Sequence, residues 1–267
     1  ARPARPRRLP RLRPPPPRGR ALPLRAGVRA LVTGAGGRIG RALALRLAVT
    51  GHDVAVHFNG SREGAEETAR LIRADGRHAA PLGADLLDPA AASALVPEAA
   101  GALGGPLSVL VNSASIFDRD TLADATPEGF ARHMGLHALA PLLLTQAFAA
   151  QARPGALVVN LLDAGLDAPA PDFFTYTLSK DALRRLTLES ARALAPRVRV
   201  VAISPGPTLP APRQRPEHFE ALRRATPLGA GSDPGDLADA LGWLLGAKAV
   251  TGVVVPVDGG LHLGPRP

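Results

Sequence analysis

Residues 28–43 read Val-Arg-Ala-Leu-Val-Thr33-Gly34-Ala35-Gly36-Gly37-Arg38-Ile39-Gly40-Arg-Ala-Leu43. An aliphatic run, Val28 to Val32, is followed at once by a glycine-rich turn and then by a stretch carrying Leu43, Leu45 and Leu47. A strand, a tight turn and a helix fit that order. Glycine lets the backbone turn sharply and approach a pyrophosphate closely, and the free N–H groups and dipole of a helix start favour the negative charge. Taken alone, the same glycines also suit a plain flexible turn.

The pattern repeats along the chain. Val28 to Val32, Asp53 to Phe58, His78 to Gly83, Leu107 to Val111, Leu157 to Leu161, Val198 to Ile203 and Val253 to Val257 read as strands. Several are almost continuous in aliphatics, as strands buried on both faces are. Helical stretches lie near 39–49, 62–75, 89–102, 127–151, 174–195 and 234–246. Strands alternating with helices predict a single-domain Rossmann-type α/β fold over residues 27–267: a doubly wound, seven-stranded parallel sheet with helices on both faces. Its ligands belong at the carboxyl ends of the strands.

The net charge of +9 is carried by one end. Residues 1–26 hold nine arginines and no acid, which leaves the rest of the chain neutral, so no nucleic-acid footprint is expected on the domain. That Arg/Pro-rich segment is too rich in proline for a helix and lacks the apolar core of a signal peptide. It reads as a disordered extension outside the fold, either a start placed too early or a basic arm. No cysteine is present, so disulfides and thiolate metal sites are excluded, in keeping with a reducing cytoplasm. No apolar run is long enough to predict a membrane span, and no metal site is expected.

Tyr176 is the only tyrosine, and Lys180, one of only two lysines, follows four positions later. This spacing puts both on one helix face. A free tyrosine titrates at about 10, so proton exchange near neutral pH requires a neighbour such as an ammonium to favour its ionised form.

Together these features resemble the short-chain dehydrogenase/reductase family over about residues 28 to 263. The resemblance rests on Thr33, Gly34 and Gly40, on Asp85 after the third strand, on Asn112-Ser113-Ala114-Ser115, on Tyr176 with Lys180, on Pro205-Gly206, and on Asp258-Gly259-Gly260. It implies a cofactor site that also draws on Ile39, Leu86 and Ala114. The chain departs from the common pattern at Arg38, at Asp163 and at Ser115, which stand where most members have glycine, serine and glycine. These three changes are similar to the pteridine reductase and dihydromonapterin reductase branch. That likeness implies that Phe117 and Arg38 contact substrate; Phe117 also suits an ordinary core position. His137 stands where many members have asparagine and reads either as a proton relay or as a satisfied helix histidine. Asp163 reads either as a catalytic acid beside Tyr176 or as a loop-ordering aspartate.

At the end of the second strand, His57-Phe58-Asn59-Gly60-Ser61-Arg62 offers no acid before Glu63. A site for NADH usually places a carboxylate there for the ribose hydroxyls. Arg38, Asn59, Ser61 and Arg62 suit a 2′-phosphate instead, so NADPH is the expected cofactor. The expected activity is reduction of a dihydropterin or dihydrofolate-like small molecule by Tyr176, Lys180 and Asp163. The alternatives are a carbonyl reductase, of a 3-oxoacyl thioester for example, and a non-catalytic nucleotide-binding protein. The resemblance implies a substrate lid at residues 207–219, which are Pro-rich and carry Arg213 and Arg215; the same charges also suit a solvated face. Leu139 to Ala152 is apolar on more than one face, as in relatives that form homotetramers.

Overall fold

The computed structural model describes residues 27–167, 171–210 and 215–264. The proposed N-terminal extension, residues 1–26, lies outside the described residues. Seven strands form one sheet: β1 (Arg29–Val32), β2 (Asp53–Phe58), β3 (Ala79–Gly83), β4 (Val109–Asn112), β5 (Ala156–Leu161), β6 (Val198–Pro205) and β7 (Val254–Val257). Their order is β3-β2-β1-β4-β5-β6-β7, and every pairing is parallel.

Period-two alternation builds two cores from the same strands. Ala30, Val32, Val54 and Val56 face helices α1 (Arg38–Val49), α2 (Arg62–Ala74) and α8 (Pro234–Gly246) through Leu43, Leu47, Ile72, Leu237 and Leu241. Leu31, Ala55, Leu110 and Val158 face the other way, onto α3 (Pro89–Ala102), α5 (Ala140–Gln151) and α6 (Phe174–Leu194) through Leu95, Val96, Leu144, Phe148 and Ala191. Both faces are dry, which explains the near-continuous aliphatic runs. The chain leaves β1 toward β2 on one side and later returns to β4 on the other, so a crevice opens beyond the carboxyl ends of β1 and β4.

Two elements differ from the sequence expectation. The helix expected over 127–151 is broken into α4 (Pro127–Met134), a π-helical turn at Gly135–Leu139, and α5. Pro141 has no N–H to give the carbonyl four residues back, and a π-helical turn absorbs the mismatch. The stretch expected as a lid contains α7 (Pro216–Ala225), where Pro216 occupies a first-turn position whose N–H needs no partner. Residues 211–214 of that stretch lie outside the described residues. No helix among the described residues is long and apolar enough to cross a membrane, and no group of metal-ligating side chains occurs among them.

Candidate active site

The glycine turn sits against the end of β4. Gly34 has φ +66, and a Cβ there would lie 2.9 Å from the Ala114 Cα; only glycine fits. A Cβ on Gly40 would reach within 2.3 Å of the Gly34 carbonyl oxygen, so helix and turn close onto each other without side chains. Thr33 Oγ1 accepts from the backbone N–H of Ser113 (2.9 Å) and Ala114 (3.0 Å), tying the turn to the segment after Asn112. His57 clamps it from the other side. Its Nδ1 accepts from Gly34 N–H at 3.1 Å, so Nε2 carries the proton and donates to the Ala84 carbonyl at 3.1 Å. Burial lowers the pKa of this imidazole and keeps it neutral. No acidic residue and no side-chain cap serve the first turn of α1, which leaves its N–H groups suited to an anion.

Arg38 holds φ 53, the one left-handed backbone of a non-glycine residue among those described. Its guanidinium reaches across the crevice and donates to the Pro210 carbonyl at 3.0 Å. Ile39 is half-buried against the α1-side core.

Asn59, Ser61 and Arg62 gather at the end of β2. The Arg62 guanidinium lies 5.0 Å from the centroid of the Phe58 ring, and α2 begins at Arg62 with no side-chain cap from Ser61. Asn59 Nδ2 donates to Asp85 Oδ1 at 3.5 Å; an arginine at a helix start without a side-chain cap, and no carboxylate from Phe58 to Arg62, fit a phosphate rather than a ribose diol. Asp85 turns the chain after β3 by accepting from Leu87 N–H at 3.0 Å, while Leu86 is buried beside it. Pro205 ends β6, and a Cβ on Gly206 would lie 2.6 Å from the Asp258 Cα.

Asp163, Tyr176 and Lys180 meet at the end of β5. Tyr176 Oη donates to Asp163 Oδ2 at 2.9 Å. The other carboxylate oxygen, Oδ1, accepts from Gly165 N–H at 2.7 Å, so Asp163 orders its loop and engages the tyrosine at once. Lys180 Nζ donates to the Leu161 carbonyl at 2.8 Å and stands 5.7 Å from the Tyr176 ring centroid. Burial lowers the lysine's pKa to about 8, with the Asp163 charge opposing. Burial and the Asp163 carboxylate raise the pKa of Tyr176 well above its usual value.

His137 lies in the π-helical turn, buried, with both ring nitrogens engaged. Ile116 N–H (3.3 Å) is donated to Nε2, with Ser115 Oγ at 3.0 Å. Nδ1 therefore carries the proton and gives it to Ser179 Oγ at 2.8 Å, whose own hydroxyl is donated to the Tyr176 carbonyl. Burial, together with Lys180 and His133, pulls its pKa down to about 2. It is a neutral strut that ties Ser115 to α6. Phe117 is half exposed, stacked on Phe173 at 4.1 Å and edge-on to Tyr176 at 4.7 Å. It is not a core phenylalanine: it offers ring surface beside the tyrosine.

Thr33 was singled out in the sequence, but the clamps made by His57 and Ser179 were not. Only His57 left a signal, a histidine within a strand buried on both faces.

Residues 34–262 match the family model described as enoyl-(acyl carrier protein) reductase. A crystal structure of FolM alternative dihydrofolate reductase 1 from Brucella canis, complexed with NADP, is 37% identical, with a TM-score of 0.86 over 90% of this chain and 96% of that one. The angucycline C-6 ketoreductase LanV with bound NADP is 33% identical, with a TM-score of 0.85 over 89% and 96% of the two chains. A putative ketoacyl reductase of granaticin polyketide synthase from Streptomyces violaceoruber is 35% identical over 243 residues, 88% of this chain and 96% of that protein. With the parallel sheet, the glycine turn and the Tyr176–Lys180 pair in place, the chain belongs to the short-chain dehydrogenase/reductase family of oxidoreductases.

Proposed function

We propose that this protein is an NADPH-dependent reductase of a flat nitrogen heterocycle of the dihydropterin or dihydrofolate class. The hydrogen bond between Tyr176 and the Asp163 carboxylate carries this reading. A serine hydroxyl at position 163 would suit a ketone oxygen, whereas a carboxyl can hydrogen-bond to a ring nitrogen or protonate it. The half-exposed Phe117 ring supports the reading with a stacking surface next to the proton donor.

When bound, NADPH supplies the hydride that an electrophilic ring carbon accepts. In this reading the first turn of α1 receives the pyrophosphate, and Arg62 with the free start of α2 receives the 2′-phosphate. The solved NADP complexes of FolM and LanV support the cofactor assignment. The Lys180 ammonium holds the nicotinamide ribose. Tyr176 Oη passes one proton to the ring nitrogen, so that C=N becomes CH–NH. A buried tyrosinate cannot persist 2.9 Å from a carboxylate. Asp163 Oδ2 therefore takes up a proton from solvent when substrate binds and hands it to Tyr176 Oη as Oη gives up its own, so the pair returns to neutral Tyr176 and ionised Asp163.

A carbonyl reductase is the second reading, supported by the likeness to LanV and the granaticin protein. A non-catalytic nucleotide binder fits less well, because Tyr176 and Lys180 are both buried and mutually oriented. We also place the protein in the cytoplasm. Leu139 and Leu142, more than a third exposed on adjoining helical segments, suit a homotetramer interface; a monomer by light scattering would contradict this. The deciding experiment is NADPH oxidation against dihydropterins, dihydrofolate and 3-oxoacyl thioesters, with Tyr176→Phe as control. Turnover of a dihydropterin or dihydrofolate supports the proposal, and turnover of thioesters alone overturns it.

A further inference from the structure

Helix α6 carries both Tyr176 and Lys180, yet its own N-cap residue, Phe173, provides no side-chain cap. The missing acceptors come from a different segment. Asp120, after β4, accepts from Thr175 N–H at 3.0 Å through Oδ1 and from the Thr175 hydroxyl through Oδ2. Its backbone carbonyl accepts from Phe174 N–H at 3.2 Å. The Thr175 hydroxyl is buried and accepts in turn from His133 Nδ1 at 2.8 Å, so α4 is joined to the same point. A carboxylate is also the favoured charge at a helix start.

This contact lies between the two aromatic parts of the site. Three residues before Asp120 is Phe117, stacked on Phe173 at 4.1 Å with 16° between the rings; one residue after Thr175 is Tyr176, edge-on to Phe117 at 4.7 Å. Freeing the Asp120–Thr175 contact would therefore loosen the stacking surface and the proton donor together. The glycine turn, on the other side of the crevice, makes no bond to Asp120. We propose that Asp120 is a positioning residue for the reaction: it caps α6 from outside the helix and holds Tyr176 and Phe117 in register as one unit. The part of this concerning a stacked substrate rests on the function proposed above; the part concerning Tyr176 does not.

Since Tyr176 is the only tyrosine, protein labelled with 3-fluorotyrosine gives one fluorine resonance that reports this residue. In Asp120→Ala that resonance is expected to shift or broaden. In the same variant kcat should fall about 10- to 100-fold, the scale of a small misplacement of a reacting group. The KM for the heterocycle should rise, while the Kd for NADPH stays within about twofold, because the cofactor turn is untouched. Asp120→Asn keeps an acceptor for Thr175 N–H and should fall between wild type and Asp120→Ala. Thr175→Val removes only the hydroxyl bridge and should resemble it.

A folded Asp120→Ala with wild-type kcat and an unmoved resonance overturns the proposal. If Asp120→Ala does not fold, the same null result in Asp120→Asn and Thr175→Val overturns it. If wild type turns over no heterocycle, the function reading fails, and the fluorine resonance still decides whether Asp120 positions the tyrosine.

Discussion

Lys180 should lose its charge in the working range of the enzyme. The residue is 3% exposed, and its ammonium donates to the Leu161 carbonyl. Burial outweighs the opposing Asp163 charge and brings its pKa to about 8. With that midpoint, roughly nine-tenths of the ammonium is charged at pH 7 and roughly one-tenth at pH 9. If the charged form holds the nicotinamide ribose, kcat/KM for NADPH falls about tenfold between those values, about 1.4 kcal/mol. Asp163→Asn removes the carboxylate that raises the lysine's pKa, so this alkaline limb moves to lower pH.

The same shift has a stability consequence with a definite sign. The folded value lies below the unfolded one of about 10.5, so between these two pH values the unfolded chain binds the proton first. Stability therefore drops as pH is lowered from 10.5 to 8 and is level below that, where the buried charge costs about 3 kcal/mol. Lys180→Met should abolish turnover yet resist urea better at pH 7, by up to that amount. Steady-state rates from pH 6 to 10 and urea unfolding of both proteins are the assays. A rate profile flat to pH 10, or a Lys180→Met variant no more stable than wild type, would show that Lys180 carries no costly buried charge.

Ultraviolet titration of the only tyrosine should show no ionisation until well above pH 10, and Asp163→Asn should lower the midpoint; an ordinary midpoint in wild type would contradict the buried pair. Acid should destabilise the fold from about pH 6.5 downward, because His52 (pKa about 4) and His137 (about 2) stay neutral when folded while the unfolded chain takes up protons. Each contributes about 2 kcal/mol of loss by pH 5, so equal urea midpoints at pH 7 and pH 5 would count against these environments. Arg38→Gly relieves the φ of 53 and should stabilise the fold by up to about 1 kcal/mol. The same change should raise the KM for NADPH; an unchanged KM would remove Arg38 from the phosphate site.

The sheet was legible because the information is local. Alternation of Ala30, Leu31 and Val32 between two cores, and glycine at 34 and 40, follow from neighbours in sequence. The pairing of Asp163 with Tyr176 was legible too, since thirteen residues span the end of one strand and the start of the next helix. What sequence reasoning could not reach depends on contacts across the fold. Both roles were open for Asp163, and the structure satisfies them with different oxygens. His137 was a possible relay, but the segment from Ser115 to Ile116 and the helix bearing Ser179 occupy its two nitrogens. Asp120 caps a helix that starts more than fifty residues later, and nothing near it in the chain signals this. The π-helical turn and α7 were missed for a local reason: proline was read as restricting a loop at 216, and its missing N–H at 141 was given no weight.

In the proposed function, a carboxyl group beside Tyr176 directs the enzyme to a ring C=N rather than to a ketone. The direct measurement is the ratio of kcat/KM for a dihydropterin to that for a 3-oxoacyl thioester, with NADPH, in wild type and in Asp163→Ser. The ratio should lie well above one in wild type and fall at least about tenfold in the variant, as the serine hydroxyl favours a carbonyl oxygen. A wild-type enzyme that prefers the thioester, or a ratio that Asp163→Ser leaves unchanged, would contradict it.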